Sequence, residues 1–312
     1  MRRQDVFQYV PLLGFMLFVL FLSFFVPQIL SVRNVLNVLN QSVALGFMSI
    51  GITLVMITGG IDLSSPSVMA LGGILGAIFM RDGGSTVVGV LIMILVCTIL
   101  GSFNGFVVAY LKMVPFVVTL SMMYVAMGAS IWLTREVSIS GLPADFIGVF
   151  AGRFFGVPFP ILLFFLTVFF AFEILGKGRY GRWLYATGSN PTVARLFGIP
   201  TEKVVFAAYT LSGLFAGIAA VVTTARLLSA SSKMGSEGVI LNVVGAAVVG
   251  GVSVYGAEGS VLGAAVGAIF MTFLENIMNM MRVSYYMSLL AKGVLVIAIV
   301  AFDALRRGKT VT

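Results

Sequence analysis

Histidine is absent, cysteine occurs once, and only 10% of the 312 residues carry charge. Each shortage removes a class of function. With no histidine and one thiol, neither a His/Cys metal site nor a Ser-His-Asp triad can be assembled, and no internal disulfide can form. The lone Cys97, in "LIMILVCTIL", reads as a small core hydrophobe. Soluble domains are roughly one-quarter charged, because their surface must be hydrated. No stretch of this chain is polar enough to make one. Phosphate-loop chemistry is missing too. The tail "DALRRGKT" ends in Gly308-Lys309-Thr310, but Asp303 stands where a P-loop needs its first glycine, and no strand leads in. Paired carboxylates at hydrolytic spacing are also lacking, so the chain reads as no enzyme.

What the sequence has is hydrophobicity: 60% apolar residues and a mean hydropathy of +1.11. That composition defines an all-α, polytopic membrane protein, a single transmembrane domain over residues 1–312. About ten apolar segments are long enough to cross a bilayer. They lie near 11–30, 40–58, 65–80, 86–104, 116–134, 158–176, 204–226, 238–255, 259–281 and 286–303. The start "MRRQDVFQYVPLLGFMLFVLFLSFF" has the basic n-region of a signal peptide. Its apolar run is too long for one and lacks a small-residue cleavage site, so it reads as a first span.

The net charge of +8 would suggest nucleic acid in a soluble chain; here its distribution explains it as membrane orientation. With the N-terminus inside, the inner segments hold eleven of the 19 Lys and Arg, the outer ones seven, and Lys292 stays within a span. The bias is concentrated in "GKGRYGRWLYATGSNPTVARLFGIPTEK" and "RRGK". Both termini are therefore expected in the cytoplasm, with 177–203 as the largest inner loop. The largest outer segment, 135–158, carries Phe146, Phe150 and Phe154 at four-residue spacing, the period of a helix face. It fits an amphipathic helix on the outer leaflet or a docking surface for an external protein.

Small-residue motifs recur: "GSVLGAAVG" (Gly259, Gly263, Gly267), "GLFAG" (Gly213, Gly217) and "GSFNG" (Gly101, Gly105), all suited to close helix packing. A gapless self-match joins "GGIDLSSPSVMALGGILGAIFM" from Gly59 to "GGVSVYGAEGSVLGAAVGAIFM" from Gly250. Both would run outward, so they are no inverted pair, and chance is a sufficient source in so limited an alphabet.

Four groups of residues are candidates for function. In the inner turn "TGGIDLS", Gly59 and Gly60 let the chain break, Asp62 or Ser64 can cap the next helix, and Pro66 fits its first turn. A carboxylate at a helix start gains about 0.3–1 kcal/mol, whereas Asp at the bilayer centre costs about 2.5–3.5 kcal/mol. Lining the inner mouth of a pathway is the alternative role. In the basic loop, Ser189 or Asn190 caps, Pro191 starts, and Gly198 with Pro200 ends a short helix, Pro191 to Phe197. Its Val193, Leu196 and Phe197 are too apolar for water, which leaves the headgroup region or a cytoplasmic protein. Polar residues within spans, Asn104, Tyr124, Asn242, Asn276 and Asn279, either line a path for a polar solute or bond between helices. Glu275 and Lys292 flank the last outer turn at similar depth, roughly 12–13 Å below it by helix rise, and can pair. The competing readings set Arg282 against Lys292 as partner, or let Glu275 face the path while Lys292 snorkels.

Several stretches in order carry a family resemblance: "TGGIDLS" (58–64), "NGFVVAYLKMVPFVVTL" (104–120), "GRWLYATGSNPTVARLFGI" (181–199), "AAVVGGVSVYGAEGSVLG" (246–263) and "AKGVLVIAIVAFD" (291–303). The chain resembles the permease subunits of bacterial ATP-binding-cassette importers of the ribose and simple-sugar type, which includes autoinducer-2 importers. The resemblance implies a type II importer permease in the bacterial inner membrane. Its partners would be a second permease, identical or paralogous, two cytoplasmic ATPase subunits, a periplasmic sugar-binding protein and membrane lipid, with no nucleic acid. The chain would bind no cofactor itself, since ATP and Mg belong to the ATPase. The resemblance also makes 191–197 the coupling helix, with Asn190, Pro191, Val193, Ala194, Arg195, Leu196, Phe197 and Gly198 as its residues. Two departures stand out. Ser65-Pro66 replaces the family's Val-Gly, and Ile240-Leu241-Asn242 replaces its Glu-Leu-Asp. The alternative class is an ion-coupled secondary transporter, which should show several carboxylates within spans; only Glu173, Glu258 and Glu275 are candidates.

Overall fold

The structure is a computed structural model that describes residues 27–308. The expected first span falls almost wholly outside them, as do the N-terminus and the Lys309-Thr310 end of the P-loop-like tail. The described chain is nearly all helix. In chain order the helices are α1 (Val32–Ile57), α2 (Ser65–Arg81), α3 (Thr86–Ala109), α4 (Pro115–Thr134), α5 (Ala144–Phe150), α6 (Phe159–Lys177), α7 (Arg179–Ser189), α8 (Pro191–Leu196), α9 (Thr201–Leu227), α10 (Glu237–Val249), α11 (Val261–Met280) and α12 (Tyr285–Gly308). Six of them, α1, α3, α4, α6, α9 and α11, are long and apolar enough to cross a membrane; α2 and the Tyr285–Ala301 stretch of α12 are shorter apolar helices.

Helix α9 is the hub, packing along α3, α1 and α2. It approaches α3 closely because glycines face each other. A Cβ at Gly101 would stand 2.8 Å from the Gly213 Cα, and one at Gly217 would stand 2.7 Å from the Ile94 Cα. Helix α1 runs through the middle, buried at every residue from Gly46 to Ile57. Phe47 there lies edge-on to Phe164 of α6 at 5.4 Å and stacks on Phe215 of α9 at 6.4 Å. Helices α3 and α6 turn Leu91, Leu95, Ile99, Phe165, Phe169 and Phe170 outward, an apolar face suited to lipid.

Four expectations need correction. Helix α1 starts at Val32 rather than 40, because Ser31 caps it by accepting the Asn34 N–H at 3.3 Å, and its amide residues still continue the helix. Residues 27–30, expected as the end of the first span, form a 3₁₀ turn instead. The 238–255 segment is helical only to Val249, about 20 Å of rise, since Gly251 (φ +83°) turns the chain. Finally, 135–158 is no continuous amphipathic helix. Only Ala144–Phe150 is helical, with Phe146 buried and packed on Phe150, while Phe154 belongs to a two-residue hairpin, β1 (Arg153–Phe154) with β2 (Val157–Pro158). The glycines at 152 and 156 break the period that the three phenylalanines suggested.

Candidate functional site

At one end of the bundle three short structures converge: the turn after α1, the helix pair α7–α8, and the loop before α11. The turn comes first. After Ile57 the chain turns and stays irregular from Gly60 to Ser64 before α2 begins. Irregular backbone buried among helices survives only when protein satisfies its polar groups. Here the Ile61 carbonyl accepts from the Tyr209 hydroxyl at 3.3 Å and the Thr119 hydroxyl at 3.2 Å. Asp62, only 2% exposed, accepts from the Ser64 N–H at 2.9 Å and the Ser64 hydroxyl at 2.6 Å through Oδ1, and from the Ser212 hydroxyl at 2.7 Å through Oδ2. The Asn104 amide in turn donates to Ser64 Oγ at 2.9 Å.

This geometry alters two expectations. Ser64 is the N-cap of α2 but its side chain makes no capping bond; it is spent on Asp62. Asp62 therefore shapes an Asx-type turn and ties α2 to α9, rather than facing an open inner mouth. Asn104, fully buried, belongs to the same node. Gly59 takes φ +81°, and a Cβ at Gly60 would stand 2.6 Å from the Tyr209 oxygen, so both glycines are sterically required.

The second structure is α8. Asn190 Oδ1 accepts the Thr192 and Val193 N–H groups, both at 3.0 Å, and Pro191 occupies the first turn. At the other end Gly198 (φ +76°) donates to the Arg195 carbonyl and Ile199 to the Ala194 carbonyl, a Schellman stop. Ala194 faces inward at 4% exposure, whereas Val193, Leu196 and Phe197 stand out at 43%, 82% and 82%. A fixed helix thus offers bare apolar side chains to whatever lies beyond it. Arg195 anchors it from behind. Its guanidinium meets Glu202 at 2.8 Å and the Thr201 hydroxyl at 2.7 Å, and Lys112 of the α3–α4 turn meets the same Glu202 oxygen at 3.0 Å. A cleft of about 170 Å³ opens between them, lined by Gly59, Gly60, Lys112, Pro191, Arg195 and Glu202 among others. Helix α8 and the Asp62 turn are therefore two walls of one cleft.

Helix α7, which the sequence reading left as loop, supports α8. Leu184 is fully buried, Arg179 lies 4.4 Å over the Trp183 ring, and the Tyr185 hydroxyl donates to the Gly259 carbonyl at 2.7 Å. Burial pushes the Tyr180 and Tyr185 phenols above their ordinary range. The loop before α11 closes the junction: Ala257 N–H donates to the Ile57 carbonyl at 2.9 Å.

The remaining candidates lie elsewhere. Tyr124 is 52% exposed on α4, and Asn242 is half-buried on α10. Asn276 accepts from the Asn34 amide at 3.1 Å, an interhelical bond, while Asn279 is exposed. Glu275 and Lys292 meet at 2.8 Å, with Lys292 buried and Glu275 half-exposed. Glu202, Lys112, Ser212, Thr119 and Tyr209 escaped the sequence reading. Only Glu202 carried a signal, an acid in the first turn of a helix that follows a basic loop.

Six membrane-length helices among the described residues, with a buried polar turn and an exposed apolar helix at one end, define a polytopic membrane protein. The chain belongs to the family described as "Branched-chain amino acid transport system / permease component", whose pattern it matches over residues 34–300. It is 32% identical over 296 residues to the ribose import permease protein of Escherichia coli strain K12, covering 94% of this chain and 92% of that one. It is 36% identical over 286 residues to a "Probable ABC transporter permease protein" of Sinorhizobium fredii, 91% and 85% of the two chains. An autoinducer 2 import system permease protein of Enterobacter is 30% identical over 280 residues, 88% and 85%. No solved structure matches. The chain is thus a multi-pass permease of the inner (plasma) membrane, and a transport component rather than an enzyme.

Proposed function

We propose that this chain is the permease subunit of an ATP-binding-cassette importer that carries a sugar or sugar-like solute from periplasm to cytoplasm by alternating access. The observation that carries the reading is α8: a helix capped at both ends whose Val193, Leu196 and Phe197 point into solvent, on the loop that the basic-residue bias assigns to the cytoplasm. An apolar patch on a rigid cytoplasmic knob fits a groove of an ATPase subunit. Two such ATPases, a second permease and a periplasmic binding protein complete the machine, and ATP with Mg stays on the ATPases. On this reading residues 1–312 form one transmembrane domain of about ten spans, with the α2 and α10 regions completed by irregular segments and both termini cytoplasmic. Ribose and autoinducer-2 are the first solutes to try, because relatives carry those names. Ion coupling has less support: Glu173 is held by Lys177 and Glu275 by Lys292.

The test is reconstitution with the candidate ATPase and binding protein. Solute-loaded binding protein should stimulate ATP hydrolysis and uptake together. Uptake driven by a proton gradient without ATP contradicts the proposal.

A further inference from the structure

The outer end of α1 differs from everything below it. Within two turns it carries four amides, Asn34, Asn37, Asn40 and Gln41, in a helix whose remaining length has none. At 100° per residue, Asn34, Asn37 and Gln41 share one face, spanning about 10 Å of rise. Val32 and Val35, at 76% and 36% exposure, lie on the opposite side, so the apolar and amide surfaces of this end are separated. Across from it, Asn276 and Asn279 share a face of α11, and the Asn34–Asn276 bond of 3.1 Å fixes the two helices in register. Gln41 donates to Asn37 Oδ1 at 3.1 Å, and Asn37 is exposed. That leaves the Asn37 amide N–H groups and the Gln41 carbonyl without a partner among the described residues.

Lipid is a poor neighbour for such a face, because unpaired amide groups cost free energy in hydrocarbon. Formal charge is nearly absent from it. Arg33 stands one turn outward of Asn37, at the mouth, and the nearest carboxylate on α11, Glu275, is matched by Lys292. Neutral amides that both donate and accept suit hydroxyl groups better than ions.

We propose that Asn37 and Gln41 contact the hydroxyl groups of the transported solute, on a water-lined strip between α1 and α11. The Asn34–Asn276 pair is the positioning element, and Asn279 forms the outer rim. This rests on the import reading above and adds the residues that meet the solute.

The native chain makes the test clean, because its one thiol, Cys97, is fully buried. Asn37→Cys and Gln41→Cys are made in the full transporter and exposed to a membrane-impermeant methanethiosulfonate. Leu95→Cys, on the lipid-suited face of α3, is the control. Both strip thiols should react at least tenfold faster than the control. Rates equal to the control overturn the proposal, as does a spontaneous disulfide joining two copies at position 37, which makes the face a permease–permease contact. Independently, Asn37→Leu and Gln41→Leu should each cut the rate of radiolabelled ribose uptake about tenfold at unchanged membrane abundance, and Asn37→Ser should keep most of it. Labelled thiols with leucine variants that transport normally overturn the solute contact. If the unsubstituted transporter takes up no neutral sugar, polyol or autoinducer-2 while the thiols still react, the sugar reading fails and the water-lined strip stands.

Discussion

The turn at Asp62 and the helix at Pro191–Leu196 are opposites that share one cleft. The first hides a carboxylate among apolar helices and satisfies both its oxygens with the groups of Ser64 and Ser212. The second displays Leu196 and Phe197 at 82% exposure, with Val193 beside them at 43%. Polar groups buried and partnered hold a fold together; apolar groups exposed and held rigid wait for something outside the chain. Chemical character alone would have assigned these regions the other way round. Partnership is what separates them.

Removing Asp62 should produce the largest effect. Asp62→Ala strands the Ser64 N–H and the Ser64 and Ser212 hydroxyls, and each buried donor left unpaired costs about 1–3 kcal/mol. The variant should accumulate poorly in the membrane and melt early in detergent, with Asp62→Asn in between. Normal melting of Asp62→Ala would mean that the turn holds its shape without the carboxylate.

The Glu275–Lys292 pair ranks next and extends the contrast to a charge that is only half hidden. Lys292 is 6% exposed, so Glu275→Gln strands a buried ammonium, whereas Lys292→Met leaves a carboxylate that can reach water. The glutamine variant should therefore lose more membrane abundance than the methionine variant, and the double mutant should regain much of the loss. Strictly additive losses would show that the two groups stabilise the fold separately.

Helix–loop grammar explains how much of this was legible in the sequence. Caps and glycine stops mark α8 within a residue, because Asn190, Pro191 and Gly198 act locally. Helix rise sets Glu275 and Lys292 at matching depth, because a tight antiparallel turn leaves little freedom. The Asp62 turn was read as a cap at a membrane boundary. Its true partners, Ser212 and Asn104, lie far along the chain and could come only from tertiary packing. The phenylalanine period at 146, 150 and 154 misled for the opposite reason: it is local, and the two glycines beside Phe154 overrode it.

The smallest structural effect is expected at Glu202, which ties α8 to the bundle. It is partly exposed, as are Arg195 and Lys112, so Glu202→Gln should cost less than about 1 kcal/mol of stability. Its effect should fall instead on coupling, with ATP hydrolysis persisting while uptake per ATP drops several-fold. Equal falls in both would place Glu202 in ATPase binding rather than in transmission.

The most direct measurement is copurification of the ATPase with the Val193→Asp, Leu196→Asp double variant, alongside membrane abundance and melting of the permease. Both side chains point outward, so the fold should be untouched and the ATPase lost from the complex. An ATPase that stays bound and supports uptake with both aspartates in place would contradict the assignment of this helix as the docking element.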